Sequence, residues 1–402
     1  MDLPTLFIFF IAALVLVLGM AGQAFFRRTR VPELAWLILF GVALSFLMSP
    51  ADKAVLTGIA TPFGTLALIM ILLDAGMGFD LTSFSNGIRR GVMLTLVAFV
   101  ATVAVTAAFT SAFLGWPLLF GVLLGIILGD ASQAVIVPLI NEMRLSEKLR
   151  SILTIETTLT DVLVIVCAIA VIGMISTGSA DLAGASLAIG YSVVVGLVVA
   201  VAGAIAWLSV EDAVERKVHS HFLMFAVVLI LYVFTEIIGG TGAFTALIFG
   251  LAVGNIPAIK KRVHLPEHLH LNKTVKNFYS EIDFFIRSFF FVYMGLVLSP
   301  SDWTAVGIGA VLAAILFAGR FLSAHLALSG SGLNSFEKLV ATVMVSRGLT
   351  SAVVSQLPAA MLVGVAFGQD FVASIGPIVV SVIFFSIALN IAGAYLLGSK
   401  GK

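Results

Sequence analysis

GDASQAVIVPLINEMRLSEKLRSILTIETTLTDVLVIV, residues 129–166, decides how the chain folds. It is two apolar helical runs joined by a short charged turn, and each run carries acid where a membrane span should have none. Asp130 sits near the middle of the first run, and Glu156 and Asp161 lie inside the second. A carboxylate at mid-bilayer costs roughly 2.5–3.5 kcal/mol on insertion scales, so an intramembrane acid reads as functional. Three acids in one hairpin point to a cation or proton site.

The rest of the chain fits that environment. Of its 402 residues 60% are hydrophobic and 11% charged, with a mean hydropathy of +1.17; a soluble chain of this size carries more charge. Its apolar runs approach the ~20 residues that cross about 30 Å of hydrocarbon. The fold class is therefore an all-α polytopic membrane protein. A net charge of +1 leaves no footprint for nucleic acid, and basic clusters read as topology. Cys167 is the only cysteine, which excludes a disulfide framework and a cysteine-based metal site. The first run is no cleavable signal, since Asp2 precedes it and the basic residues follow it.

Thirteen spans are expected, at 3–23, 32–48, 55–75, 92–113, 117–142, 150–175, 184–208, 219–238, 241–256, 283–299, 303–328, 336–363 and 372–397. Of 22 Lys and Arg, 18 then fall on one side, only Lys53 on the other, and Arg287, Arg320 and Arg347 within spans. Positive charge stays inside, so the N-terminus is expected outside and the C-terminus in the cytoplasm. The longest loop, 257–282, reads as an amphipathic helix on the inner surface. Its His264, His268 and His270, like His219 and His221, read as a solvated cytoplasmic face.

SQAVIVP (132–138) and TSAVVSQLP (350–358) form a faint internal repeat in the fifth and twelfth spans. Both put small and polar residues, then proline, into a hydrophobic helix. Proline removes a backbone bond and clashes one turn back, so both helices are expected to unwind locally. The spans are seven apart and cross in opposite directions. Inverted repeats with broken helices mark a midplane substrate site in secondary transporters.

Asp161 lies eleven residues into its span, roughly 16 Å deep, and Asp130 reaches a similar depth from the other side. Thr157 shares the face of Asp161, whereas Glu156 points about 140° away. Asp161 is therefore expected to face the pathway and Glu156 an arginine, with Arg320 and Arg347 as the candidates. Such a pair is scaffold, because losing one partner of a buried pair costs ~3–5 kcal/mol. Asp74, at the end of the third span, reads either as a gate or as a headgroup-level acid. Glu236 and Arg287 read as interfacial anchors.

These features resemble the cation/proton antiporters, and among them the sodium/proton exchangers of archaea and bacteria. The resemblance covers nearly the whole chain. It rests on the acid in the fifth span, an E-x-x-x-x-D element at Glu156–Asp161, arginines in the eleventh and twelfth spans, and RGL at 347–349. It implies two inverted repeats with crossed, partly unwound fifth and twelfth helices. It also implies a mobile core, mainly 92–175 and 303–397, moving against a dimerisation scaffold, mainly 1–75 and 184–299. Asp161 would hold either cation or proton. Asp130, the Gly129 carbonyl and the Thr157 hydroxyl would complete the oxygen shell, with Asp74 at or near it and Glu156 paired to Arg320 or Arg347. A homodimer through the first and seventh spans is implied, in a prokaryotic cytoplasmic membrane and with no cofactor beyond the transported Na⁺, Li⁺ or K⁺ and H⁺. Two departures stand out. Thr160 replaces the usual Asn, which leaves one titrating carboxylate and implies one-for-one electroneutral exchange; Ala131 stands where proline is frequent.

Three other functions share some of these features. A potassium/proton efflux system has the same fold but often a cytoplasmic nucleotide-binding domain. A sodium-coupled symporter of organic anions needs a positive substrate site, and the arginines here face acids. An ion sensor needs only binding. An enzyme is not expected, since no nucleophile or His-metal set accompanies the acids.

Overall fold

A computed structural model of the chain describes residues 3–29, 31–48, 50–78, 87–143, 145–177, 182–215, 220–256, 273–298, 303–362 and 368–398, and every regular element among them is helical. That follows from the composition. In hydrocarbon every backbone N–H and C=O must find a partner inside the protein, and a helix supplies it locally. The first helices are α1 (Leu3–Thr29), α2 (Glu33–Leu47), α3 (Pro50–Gly78) and α4 (Ile88–Phe113). Then come α7 (Glu147–Thr177), α8 (Leu182–Glu215), α9 (Ser220–Ile237), α10 (Gly242–Gly254), α11 (Lys273–Val297), α12 (Trp303–Leu328) and, last, α16 (Gly368–Gly398). Among the described residues five stretches are long and apolar enough to cross a membrane: Ile88–Phe113, Glu147–Ser176, Gly190–Ser209, Trp303–Leu328 and Phe371–Leu397. Large apolar side chains such as Val100, Val198, Ile205 and Phe321 are exposed on these helices, which suits lipid rather than water.

The fifth and twelfth apolar runs are interrupted. The fifth is α5 (Leu118–Ile127) and α6 (Gln133–Glu142), separated by 128–132. The twelfth is α13 (Ser335–Val343), then non-helical backbone at 344–348, then the short α14 (Leu349–Val354) and α15 (Leu357–Met361). Only the minor break at 355–356 falls one turn before a proline, Pro358; the main breaks at 128–132 and 344–348 do not. Pro138 lies inside α6, and Pro358 opens α15. A proline acts one turn back, which for Pro138 means Ala134, already in the restarted helix. The chain opens instead where backbone groups find partners across the crossing described below.

By contacts the chain falls into two compact units, one of residues 1–64, 86–177 and 287–402 and one of 65–85 and 178–286. In the first, α4 packs on α5, α7 and α12, and α12 packs on α16. A Cβ at Gly125 would come within 2.7 Å of the Val103 Cα, so α4 and α5 meet backbone to backbone, as small residues allow between membrane helices. Arg287 pairs with Glu33 at 3.2 Å, both largely buried, so its contact is an ion pair rather than interfacial anchoring.

In the second unit α10 packs on α8 and α9. The Ser192 and Thr241 hydroxyls bond at 2.6 Å, and those of Thr235 and Thr245 at 3.0 Å. The Glu236 carboxylate accepts the Gly242 N–H at 2.8 Å and holds the start of α10. Residues 257–272, with His264, His268 and His270, lie outside the described residues, as does His219; from residue 273 the chain is already α11.

Candidate functional site

The two breaks meet inside the first unit. The Ser132 N–H donates to the Ser346 carbonyl at 2.9 Å, joining one unwound segment to the other. The Ala131 N–H donates to the Thr160 hydroxyl of α7 at 3.1 Å, and that hydroxyl donates to the Thr157 carbonyl at 2.9 Å. On the far side α16 holds the second break: Ser386 Oγ accepts the Arg347 N–H at 3.0 Å, and Asn390 donates to Ser346 Oγ at 2.9 Å. A Cβ at Gly348 would lie 2.6 Å from the Ser132 Cβ, so only glycine fits where the segments touch. Non-helical backbone persists at membrane depth only when protein satisfies it in this way.

Two carboxyls are placed by the crossing. Asp130, 1% exposed, directs Oδ2 at the Gly348 N–H at 2.9 Å, with the Ser351 N–H and hydroxyl further off at 3.4 Å. Its Oδ1 has no hydrogen-bond partner among the described residues. Asp161, 6% exposed, accepts the Thr350 hydroxyl on Oδ1 at 2.6 Å. The two carboxyls face each other closely enough to share a hydrogen bond once one is protonated. Asp130 is thus bound to the backbone of the other half, while Asp161 is held by one hydroxyl.

Behind the acids lie two buried guanidiniums. Arg320 pairs with Glu156 in a two-pronged contact, Nη1 on Oε1 and Nη2 on Oε2 at 2.7 Å, and its Nε donates to the Ala341 carbonyl at 3.0 Å. Such bidentate pairing is the strong form of the arginine–carboxylate contact. Arg347 takes other partners, the Asp130 carbonyl through Nη1 and the Thr102 hydroxyl through Nη2 at 3.3 Å. A small cavity of about 20 Å³ between α4 and α12 is lined by Thr102, Ala131, Arg320 and Arg347, but by neither aspartate.

The other sequence candidates fall as follows. Thr157 is fully buried one turn before Asp161, its hydroxyl donating to the Thr154 carbonyl at 2.9 Å. This leaves its lone pairs available. Gly129 follows α5, with the Phe99 ring where a side chain would be. Asp74, on α3, belongs to the second unit. Thr350, Gly348, Ser351 and Ser386 were not singled out as site residues from the sequence, although Thr350 and Ser351 open the repeated TSAVVSQLP stretch.

Broken, crossed helices around a buried acid pair define a secondary transporter of small cations. The chain belongs to the sodium/hydrogen exchanger family, whose transmembrane region matches residues 10–393. That is a family of cation/proton antiporters, and it makes the protein a multi-pass membrane protein. Its fold is similar to that of the sodium proton antiporter MjNhaP1 from Methanocaldococcus jannaschii. Against the structure of that protein at pH 8 the TM-score is 0.80 at 20% identity, over 96% of this chain and 99% of the other. Against its electron-microscopy structure the TM-score is 0.73 at 20% identity, over 100% and 98%.

Proposed function

We propose that this protein exchanges sodium for protons across the cell membrane, one for one and without net charge movement, with both ions competing for Asp161. The observation that carries the proposal is the sum of buried charge at the crossing. Three acids, Asp130, Glu156 and Asp161, are buried there with two guanidiniums, Arg320 and Arg347. One negative charge is left over, and a single proton or a single monovalent cation cancels it. A charged site stays put in low dielectric, while a neutralised one crosses. Asp161 loaded with either ion therefore moves, and the empty site does not, which makes exchange obligatory.

Hard cations take oxygen ligands. The free Oδ1 of Asp130, the Thr157 hydroxyl and the Gly129 carbonyl supply them beside Asp161, and the family resemblance adds Asp74 as a candidate. Thr160 works through position, holding Ala131 against α7. In this proposal the chain crosses the membrane thirteen times as two inverted repeats, with its N-terminus outside and its C-terminus in the cytoplasm. The core of 92–175 and 303–397 moves against a scaffold of 1–75 and 184–299, and two copies join through the first and seventh spans.

The test is proton flux in proteoliposomes carrying a lumenal pH dye, with Na⁺, Li⁺ or K⁺ added in turn and the voltage clamped or released. Sodium-driven proton movement that ignores voltage is expected, and Asp161→Asn should abolish it. A response to K⁺ alone would replace sodium with potassium. Voltage-sensitive flux would make Asp130 a second titrating group. Absence of flux with every cation, or wild-type rates in Asp161→Asn, would end the proposal.

A further inference from the structure

We infer that Thr350 is a specificity-determining residue, setting the balance between cation and proton at Asp161. The inference rests on the reading of Asp161 as the shared carrier. The Thr350 hydroxyl meets Asp161 Oδ1 at 2.6 Å, and the two residues are 5% and 6% exposed. Thr350 is the second residue of α14, directly beyond the break at 344–348. The crossing that brings Gly348 to Asp130 therefore also fixes the direction from which Thr350 reaches Asp161.

The chemistry of a hydroxyl supplies the bias. It has one proton to give and two lone pairs, and its bond to an ionised acceptor is roughly twice as strong as to a neutral one. A bound cation leaves Asp161 ionised, so the strong bond survives loading, and the lone pairs offer the cation a further oxygen. A bound proton neutralises the carboxyl and weakens the bond. Thr350 thus favours the cation-loaded site over the proton-loaded one. The other charged groups around Asp161 are the Asp130 carboxyl, then Arg347 against the Asp130 carbonyl, and the Glu156–Arg320 pair. A change at residue 350 alters none of them chemically.

The experiment compares the wild type with Thr350→Val and Thr350→Ser in proteoliposomes, reading sodium KM and maximal rate at two pH values. Thr350→Val should raise KM about tenfold at the lower pH, as expected for losing a charge-assisted bond. The deficit should shrink at the higher pH, where fewer protons compete, with the maximal rate little changed. Thr350→Ser should restore KM. The sodium concentration that half-protects detergent-purified protein against heat should shift in parallel, a readout that needs no transport. An unchanged KM, a deficit equal at both pH values, or failure of Thr350→Ser to restore KM in a protein of normal thermal stability would overturn the inference. Loss of cation-driven flux in the wild type would instead overturn the reading of Asp161.

Discussion

Glu156 and Asp161 stand five residues apart on one helix and do unlike work, because a helix turns them to different neighbours. Glu156 meets a guanidinium on both oxygens; Asp161 meets one hydroxyl and another acid. That separation was legible in the spacing. Which arginine takes Glu156 was not, since Arg320 and Arg347 are both mid-run and chemically alike in sequence. Thr350 was harder still, one hydroxyl among many in a chain of small residues, meeting its partner 189 positions away. Glu156→Gln should leave Arg320 buried without its counter-charge and cost ~3–5 kcal/mol, read as a lower melting temperature in detergent whether or not sodium is present. A variant melting like the wild type would mean that the pair contributes nothing to the fold.

At the scale of elements, the breaks were predictable, but the places of the two main ones were not. Proline draws attention because it cannot continue a helix, yet Pro138 rides inside α6. The segment at 128–132 opens because its N–H and C=O groups have better partners than the next turn: the Thr160 hydroxyl, the Ser346 carbonyl and the Arg347 guanidinium. Those partners are distant in sequence, so no local pattern displays them. Thr160→Val removes the acceptor of the Ala131 N–H and should destabilise by about 1–3 kcal/mol, the cost of a buried polar group left unmatched. Thr160→Asn keeps an acceptor and should melt near the wild type. Equal melting of Val and Asn variants would show that this contact does not hold the segment.

At the scale of the whole molecule, hydropathy located the helical runs among the described residues but not every helix end. α11 begins at Lys273, ten residues before the expected span at 283, because its first turns, KTVKNFYSEID, are polar and give no hydropathy signal. The proposed orientation rests on the skew that thirteen spans would give, 18 of 22 basic residues on one side. It predicts that in a Cys167→Ser background a cysteine replacing Lys53 reacts with an impermeant reagent from outside intact cells, and one replacing Lys338 only from inside. The opposite labelling would invert the topology and move the expected entry side of every ion.

The partners at the crossing lie far apart along the chain, 164 residues between Glu156 and Arg320 and 218 between Asp130 and Gly348. Synthesis delivers the acids first. While the later helices are still being made, the inserted half holds Glu156 with no guanidinium and Asp130 with no backbone donor from the other repeat. The membrane therefore receives an unfinished, electrically mismatched half-protein, and the final third of the chain completes its interior. Truncation before Arg320 should leave a product that quality-control proteases remove, because its acids have nothing to rest against.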